Sequence, residues 1–332
     1  MPTGHGLKQA IASALAFKAD DFGILAGGDA TIREAMYHLA QRSNASGDIN
    51  PYFKSALLIK RAMPQAPSID NFIDTHRADA KIAECGKLAI AAEILKAERA
   101  SKLFVDQSNM YNRLKFANVE DTWFNAFFQL LALNTPFERL PERLSRVKVV
   151  TFNYDRTLEH FLHQAVQNYY DCSLDDAAKA VTSLKILHPY GSVGALPWQQ
   201  TGMAAVPYGG KLVSSALLSV ASALRTFTEG TSAAESQISE IRSCVFEADT
   251  LVFLGFAYHK LNLEVLFGPS IEGQVRHLKQ VYGTAQGLSE STKRAVADEL
   301  AALGKYDPSQ ITLRRELSAA QLFPEYSRSL RF

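Results

Sequence analysis

The chain has 332 residues, of which 47% are hydrophobic and 21% are charged, as expected for a globular protein with a sizeable core. Its 35 lysines and arginines balance 34 acidic residues, so the net charge of +1 argues against general nucleic-acid or anionic-membrane binding, although a local basic patch stays possible. Three separated cysteines exclude a disulfide framework or zinc module, and the lack of a membrane-length apolar run or signal peptide predicts a cytoplasmic protein.

The first part of the chain is predicted to be helical. A glycine-containing loop opens it, and apolar residues then recur at helical spacing up to Phe17. Between Ala30 and Ser145 no segment has convincing β-branched character, and Ser68 is a good helix N-cap after Pro67. The predicted helices here are Thr31–Arg42, Asn50–Met63, Ser68–Ala92, Ile94–Leu103 and Thr122–Leu133.

From Arg146 onward, short β-branched segments alternate with helical patterns. The predicted strands are Val147–Phe152, Leu184–Leu187, Thr250–Leu254, Leu278–Tyr282 and Ile311–Leu313, and the main helices between them are Arg156–Tyr169, much of 212–244, and Ser289–Leu303. This alternation indicates βα units and a parallel sheet. We therefore expect an α/β fold, in which residues 1–19 and 146–332 form a Rossmann-like parallel sheet with helices on both faces and residues 20–145 form a large helical insertion.

Polar and small residues follow three of these strands. They are Asn153-Tyr154-Asp155, His188-Pro189-Tyr190-Gly191 and Gly255-Phe256-Ala257. Ligands of open parallel sheets bind at the carboxyl ends of the strands. The sequence therefore predicts a binding site at this edge.

Three segments, in the same order, resemble motifs of the sirtuin-like (silent-information-regulator-like) superfamily. Thr151–Asp155 is similar to its strand-end Asn-x-Asp motif, Leu187–Ser192 to its strand ending in His and Gly, and Leu251–Asn262 to its strand followed by a small-residue turn and Asn. The resemblance extends from the N-terminus to about Leu303 and is to a prokaryotic branch with a helical insertion, many of whose members are NAD hydrolases in antiviral defence. It implies hydrolysis of NAD to nicotinamide and ADP-ribose, controlled by self-assembly into a homo-oligomer or by a partner ATPase.

The residue chemistry fits that reaction. Asn153 offers an amide donor and acceptor for a ribose hydroxyl or the attacking water. His188 is suited to general-base catalysis, because the unperturbed pKa of histidine, about 6.5, is near neutral pH. Asp155 could bind the nicotinamide carboxamide or fix the loop.

Further NAD contacts are predicted at glycine-containing turns. Gly255 would let the backbone approach the ribose or phosphates, and Gly283-Thr284 could approach the adenosine half, although plain turn chemistry also explains Gly283. The remaining predicted contacts lie within the resembling segments: Gly191, Ala257 and Asn262.

The sequence departs from the family pattern in several ways. The family usually opens with a strand and a Gly-Ala-Gly turn that cradles the diphosphate, and both are missing before the segment Pro2-Thr3-Gly4. This predicts either a start codon that omits about one strand or a loss of the turn, and in both cases a gap in the sheet and weaker NAD binding. Pro189-Tyr190 separates His188 from Gly191, and Ala257 replaces the frequent Ser or Thr. The two Cys-x-x-Cys pairs of sirtuin deacylases are missing, so we expect no zinc and disfavour a deacylase. P-loop and Gly-x-Ser-x-Gly motifs are missing as well.

Several alternatives stay open. Asn153 or Asp155 could cap the helix that begins near Arg156, and His160 and His163 fit a helix face better than a metal site. The chain could also be a catalytically silent NAD- or ADP-ribose-binding subunit or scaffold of a defence complex. A zinc-free deacylase or an ADP-ribosyltransferase would use the same pocket.

Overall fold

The computed structural model describes residues 4–19, 25–43, 46–106, 108, 111–226, 232–268 and 280–330. In chain order its helices and strands are α1 (Gly4–Ala14), β1 (Phe17–Ala19), β2 (Leu25–Gly27), α2 (Ala30–Ser43), α3 (Asn50–Ala62), α4 (Ile69–Thr75), α5 (Ala80–Ala100), α6 (Trp123–Ala132), α7 (Leu140–Ser145), β3 (Lys148–Val150), α8 (Thr157–Tyr170), α9 (Leu174–Thr182), β4 (Lys185–Leu187), α10 (Ser214–Ala223), α11 (Ser232–Glu247), β5 (Thr250–Phe253), α12 (Lys260–Phe267), β6 (Gln280–Thr284), α13 (Glu290–Gly304), β7 (Ile311–Arg314) and α14 (Ala319–Tyr326).

These elements fall into two units. Unit 1 comprises Met1–Leu114, Asn153–His160 and Tyr190–Glu229, and unit 2 comprises Lys115–Phe152, Phe161–Pro189 and Gly230–Phe332. Within the described ranges, every helix is too short or too polar to cross a lipid bilayer.

Unit 1 is built around α5. This helix is rich in Ala, Leu and Ile on most of its faces, a composition typical of a helix that is buried all round. Helices α1, α2, α3, α4 and α10 all pack against it. A side chain at Gly86 would lie 2.6 Å from the Ile73 side chain, so glycine at this position permits the close approach of α4.

The start of α4 is as predicted, whereas its end is not. The Ser68 hydroxyl accepts a hydrogen bond from the Asn71 amide at 3.0 Å, which confirms Ser68 as the N-cap. The predicted helix Ser68–Ala92 is interrupted because Asp79 caps a second helix, its carboxylate accepting from the Lys81 amide at 3.0 Å. The predicted break before Ile94 is wrong, because α5 continues without interruption to Ala100.

A buried ion pair anchors a long loop in unit 1. The side chains of Arg156 and Glu98 are 1% and 0% exposed. The Glu98 carboxylate accepts from the Arg156 Nε at 3.1 Å and from the amide of Gly209 at 2.9 Å, and Arg156 also donates to the Val206 carbonyl at 2.5 Å. The two charges therefore satisfy one another and hold the loop against α5.

Unit 2 contains two parallel sheets in its described residues. Strand β3 pairs with β4, and β6 lies between β5 and β7. Buried residues of β4, β5, β6 and β7 belong to one hydrophobic core, against which Val150 of β3 also packs. The predicted mixed α/β fold with parallel strands is confirmed at this level.

Candidate functional site

The predicted catalytic residues follow paired strands. Val150 of β3 is opposite Leu187 of β4, and one position further the Thr151 amide donates to the Leu187 carbonyl at 2.9 Å. His188 comes directly after β4, is half-buried and belongs to unit 2. Asn153 follows β3 by three positions, is exposed and belongs to unit 1. The convergence of the Asn153 and His188 side chains remains a prediction.

Asp155 has the geometry of a helix cap. It is buried, and its Oδ1 accepts a hydrogen bond from the Thr157 amide at 3.0 Å, at the first residue of α8. The preceding Tyr154 is also held, since its hydroxyl donates to the Asp70 carboxylate and lies 3.1 Å from the Arg225 carbonyl. The two residues after Asn153 are thus fixed by hydrogen bonds within unit 1.

Gly191 is required by local packing in unit 1. Its φ of +79° lies in the region that favours glycine. A Cβ at this position would lie 2.7 Å from the Ala223 carbonyl oxygen at the end of α10. The chain beside Gly191 is joined to this region, because the Arg225 amide donates to the Tyr190 carbonyl at 2.9 Å.

The ends of β5 and β6 are joined by a hydrogen bond in unit 2. The Gly255 amide donates to the buried Thr284 hydroxyl oxygen at 2.8 Å. Gly255 has φ +56° and is exposed, and a Cβ there would meet no atom within 4 Å. The backbone at Gly255 is therefore open to close approach by a ligand, although its own amide is already used.

Gly283 lies inside β6, one residue before its end, whereas the sequence prediction placed it after the strand. A Cβ there would lie 2.4 Å from the Tyr258 hydroxyl and 2.7 Å from Leu313. The Tyr258 hydroxyl donates to the Thr284 carbonyl at 3.0 Å, and burial raises the pKa of this phenol. The small size of Gly283 thus makes room for Tyr258.

An aromatic cluster connects the two sheets at their carboxyl ends. The Phe152 ring, just after β3, lies 5.4 Å from the Phe256 ring, which follows β5. Phe256 also contacts Phe253 at 5.4 Å and Tyr258 at 5.3 Å between ring centroids. All four rings belong to unit 2 and border its core. Sequence reasoning missed this cluster, although an aromatic residue beside each strand-end motif is visible in the sequence.

The other predicted contacts in unit 2 lie close along the chain. Ala257 is exposed in the segment between Gly255 and α12. Asn262 is half-buried in the first turn of α12, where its backbone amide donates to the His259 carbonyl at 2.9 Å.

His160 and His163 have hydrogen-bond partners in different parts of the chain. His160 Nε2 is 3.1 Å from the Leu103 carbonyl, and the ring stacks on Tyr208 with centroids 4.1 Å apart. His163 Nε2 is 2.9 Å from the Leu174 carbonyl, and burial lowers the pKa of this imidazole. Among the residues that the structure describes, no three His, Cys, Asp or Glu side chains are grouped as metal ligands. Both histidines therefore have packing and hydrogen-bonding roles.

Comparison with known proteins gives no match. No protein-family model, curated protein or solved structure is significantly similar to this chain.

Proposed function

We propose that this chain is an NAD glycohydrolase that cleaves NAD to nicotinamide and ADP-ribose, with Asn153 and His188 as its catalytic residues. The observation that carries the proposal is the meeting of strand ends in unit 2, where the Phe152–Phe256 contact joins the end of β3 to that of β5. The end of β4 lies beside that of β3, because the two strands are paired. The end of β6 lies beside that of β5, because Gly255 and Thr284 are joined by a hydrogen bond. Ligands of parallel sheets bind at such an edge.

The proposed reaction needs few groups. The bond between the anomeric carbon and the nicotinamide nitrogen breaks, nicotinamide leaves as a neutral molecule, and the ribose becomes oxocarbenium-like. Asn153 orients the ribose and the attacking water through its amide. His188 accepts the proton that this water loses as its oxygen bonds to the anomeric carbon. We assign Asp155 to fixing the segment after Asn153, because its carboxylate caps α8.

The proposed NAD contacts differ in their support. The exposed backbone at Gly255 favours close approach of the ribose or phosphates there. Ala257 and Asn262 follow Gly255 closely along the chain, and Thr284 is joined to it by a hydrogen bond. Gly191 and Gly283 have packing reasons for lacking a side chain, which weakens their assignment as contacts.

The proposal extends to architecture and context. We propose that the two parallel sheets of unit 2 belong to one Rossmann-like domain, and their shared core supports this union. The proposed domain comprises residues 1–19 and 146–332, with residues 20–145 as a helical insertion; the core carries no information on residues 1–19, whose helix α1 packs on α5 in unit 1. From the family resemblance we also propose a cytoplasmic role in antiviral defence, regulated by self-assembly or a partner ATPase.

A second candidate is a catalytically silent NAD- or ADP-ribose-binding subunit. It is favoured by the Asp155 carboxylate and the Gly255 amide, which both already have partners within the chain. Such a subunit would bind NAD and release no nicotinamide.

The test is incubation of the purified full-length chain with NAD, with nicotinamide and ADP-ribose quantified by chromatography. We expect both products in equal amounts, and we expect Asn153→Ala and His188→Ala each to lower the rate by about 10²-fold or more. Matched controls are Asn118→Ala and His38→Ala, at exposed positions on other elements, which should retain the rate.

Each other outcome has a definite meaning. Equal NAD loss with wild type, Asn153→Ala and His188→Ala would refute the assigned roles. NAD binding with no turnover would favour the silent subunit. ADP-ribose found on a protein acceptor would indicate a transferase.

A further inference from the structure

A small cavity in unit 2 is lined by three arginines. It lies where α6 ends and α7 begins, has a volume of about 80 Å³, and is lined by Asn134, Thr135, Pro136, Arg139, Glu142, Arg143 and Arg146. Ligand pockets for drug-sized molecules are typically ~300–1,000 Å³. This cavity is therefore too small for a dinucleotide and fits a single compact group.

The wall of the cavity is held in place by Arg143. Its Nη1 donates to the Leu133 carbonyl at 2.9 Å and lies 3.4 Å from the Leu131 carbonyl, so it caps the C-terminal end of α6. The turn that follows has Asn134 in the left-handed region, with φ +53°, and is closed by the Thr135 amide donating to the Ala132 carbonyl at 3.1 Å. Part of the cavity wall is thus hydrogen-bonded backbone at the end of α6.

The charge of the lining is unbalanced. Three arginines and one glutamate are among the lining residues, so the lining has a formal net charge of +2. Glu142 is shared by two arginines, since Arg146 donates to one of its oxygens and Arg139 lies 3.9 Å from the other. A guanidinium carries five N–H donors, so most donors of Arg139 and Arg146 are not used by Glu142.

We propose that this cavity binds a phosphoryl dianion, either inorganic phosphate or the phosphomonoester of a small molecule. The charge of −2 on a phosphoryl dianion balances the net charge of +2 on the lining, whereas the charge of −1 on a carboxylate would balance only half of it. Planar guanidinium groups bind phosphate oxygens in bidentate fashion, and Asn134 adds a polar side chain to the lining. The Thr135 hydroxyl already donates to the Leu133 carbonyl at 3.1 Å, so it helps to hold the wall and is not counted as a donor to the anion. The site is independent of the proposed NAD reaction.

The test uses ³¹P NMR titration of the full-length chain at constant ionic strength, with inorganic phosphate and adenosine monophosphate in separate arms and acetate as competitor. Because Arg139 and Arg146 are more than half exposed, we expect weak binding, with a dissociation constant on the order of 1 mM, and acetate should compete at least about tenfold more weakly. Arg139→Gln and Arg146→Gln should each weaken binding about tenfold, because each removes one guanidinium.

The matched control is Arg294→Gln, an exposed arginine on α13 that makes the same change in net charge. Tighter binding of adenosine monophosphate than of phosphate would identify a phosphomonoester ligand, and the reverse order would identify the free ion. Absence of binding to wild type, or equal weakening by Arg294→Gln, would overturn the proposal. Arg143 is left unchanged because its removal would uncap α6.

Discussion

Removing Glu98 should destabilise the protein strongly. In the Glu98→Leu variant the Arg156 guanidinium, 1% exposed in the wild type, would stay buried without its counter-charge, which typically costs about 3–5 kcal/mol. Two buried backbone amides, of Arg156 and Gly209, would also lose their acceptor, at about 1–3 kcal/mol each when no water replaces it. We therefore expect a loss of at least about 3 kcal/mol in the free energy of unfolding.

The assay is urea denaturation followed by circular dichroism, combined with hydrogen exchange at the Gly209 amide, which should become faster. The control is Glu264→Ala on α12, because its side chain is 53% exposed and that of its partner Lys260 is 78% exposed, so the loss should stay below about 1 kcal/mol. In the double variant Glu98→Leu with Arg156→Met neither charge of this pair remains, so its loss of stability should be smaller than that of Glu98→Leu alone. A Glu98→Leu variant within about 1 kcal/mol of wild type would refute the buried-pair argument.

Two further predictions concern stability. Burial raises the pKa of the Asp70 carboxyl despite its hydrogen bond from Tyr154, so Asp70 contributes most stability below its unfolded pKa of 3.8 and loses it as the pH rises. Asp70→Asn should therefore be more stable than wild type at pH 7, and this difference in stability should disappear as the pH falls to about 3.8. Thermal melts at a series of pH values measure the difference. A difference in stability that does not change with pH would contradict the argument. Gly283→Ala should lower the free energy of unfolding by about 1–3 kcal/mol, because the new methyl group would collide with Tyr258. Gly255→Ala should lower it by only ~1–2 kcal/mol, the cost of a left-handed backbone conformation in alanine. The two variants are compared by their urea midpoints. Equal midpoints for wild type and Gly283→Ala would contradict the packing role of Gly283.

Long periodic helices and β-branched strands were predictable from the sequence. Helix α3 begins at the predicted residue, and β5 matches the predicted Thr250–Leu254 to within one residue. Shorter elements were missed even where capping signals are present. Ser173 caps α9 by accepting from the Asp176 amide, and α14 begins with a Ser318–Gln321 capping box but contains Pro324, which sequence patterns treat as a helix breaker.

Tertiary features were less accessible to sequence reasoning. The parallel pairing of β3 and β4 follows from the βα pattern, so the neighbouring positions of Thr151 and Leu187 were implied. The Phe152–Phe256 contact could not be predicted in this way, because it depends on packing between strands that are far apart in sequence. Similarly, nothing near Arg156 reveals that Glu98, 58 positions earlier, will neutralise it.

The discontinuity of unit 1 has a consequence for biosynthesis. Helix α10, which packs on α5 and α2, begins only at Ser214, long after α5 has ended at Ala100. A ribosome that adds about 5–20 residues per second would leave the apolar faces of the nascent helices uncovered for on the order of 10 s. Emerging chains should therefore engage chaperones during this interval, and a fragment truncated after Leu114 should aggregate.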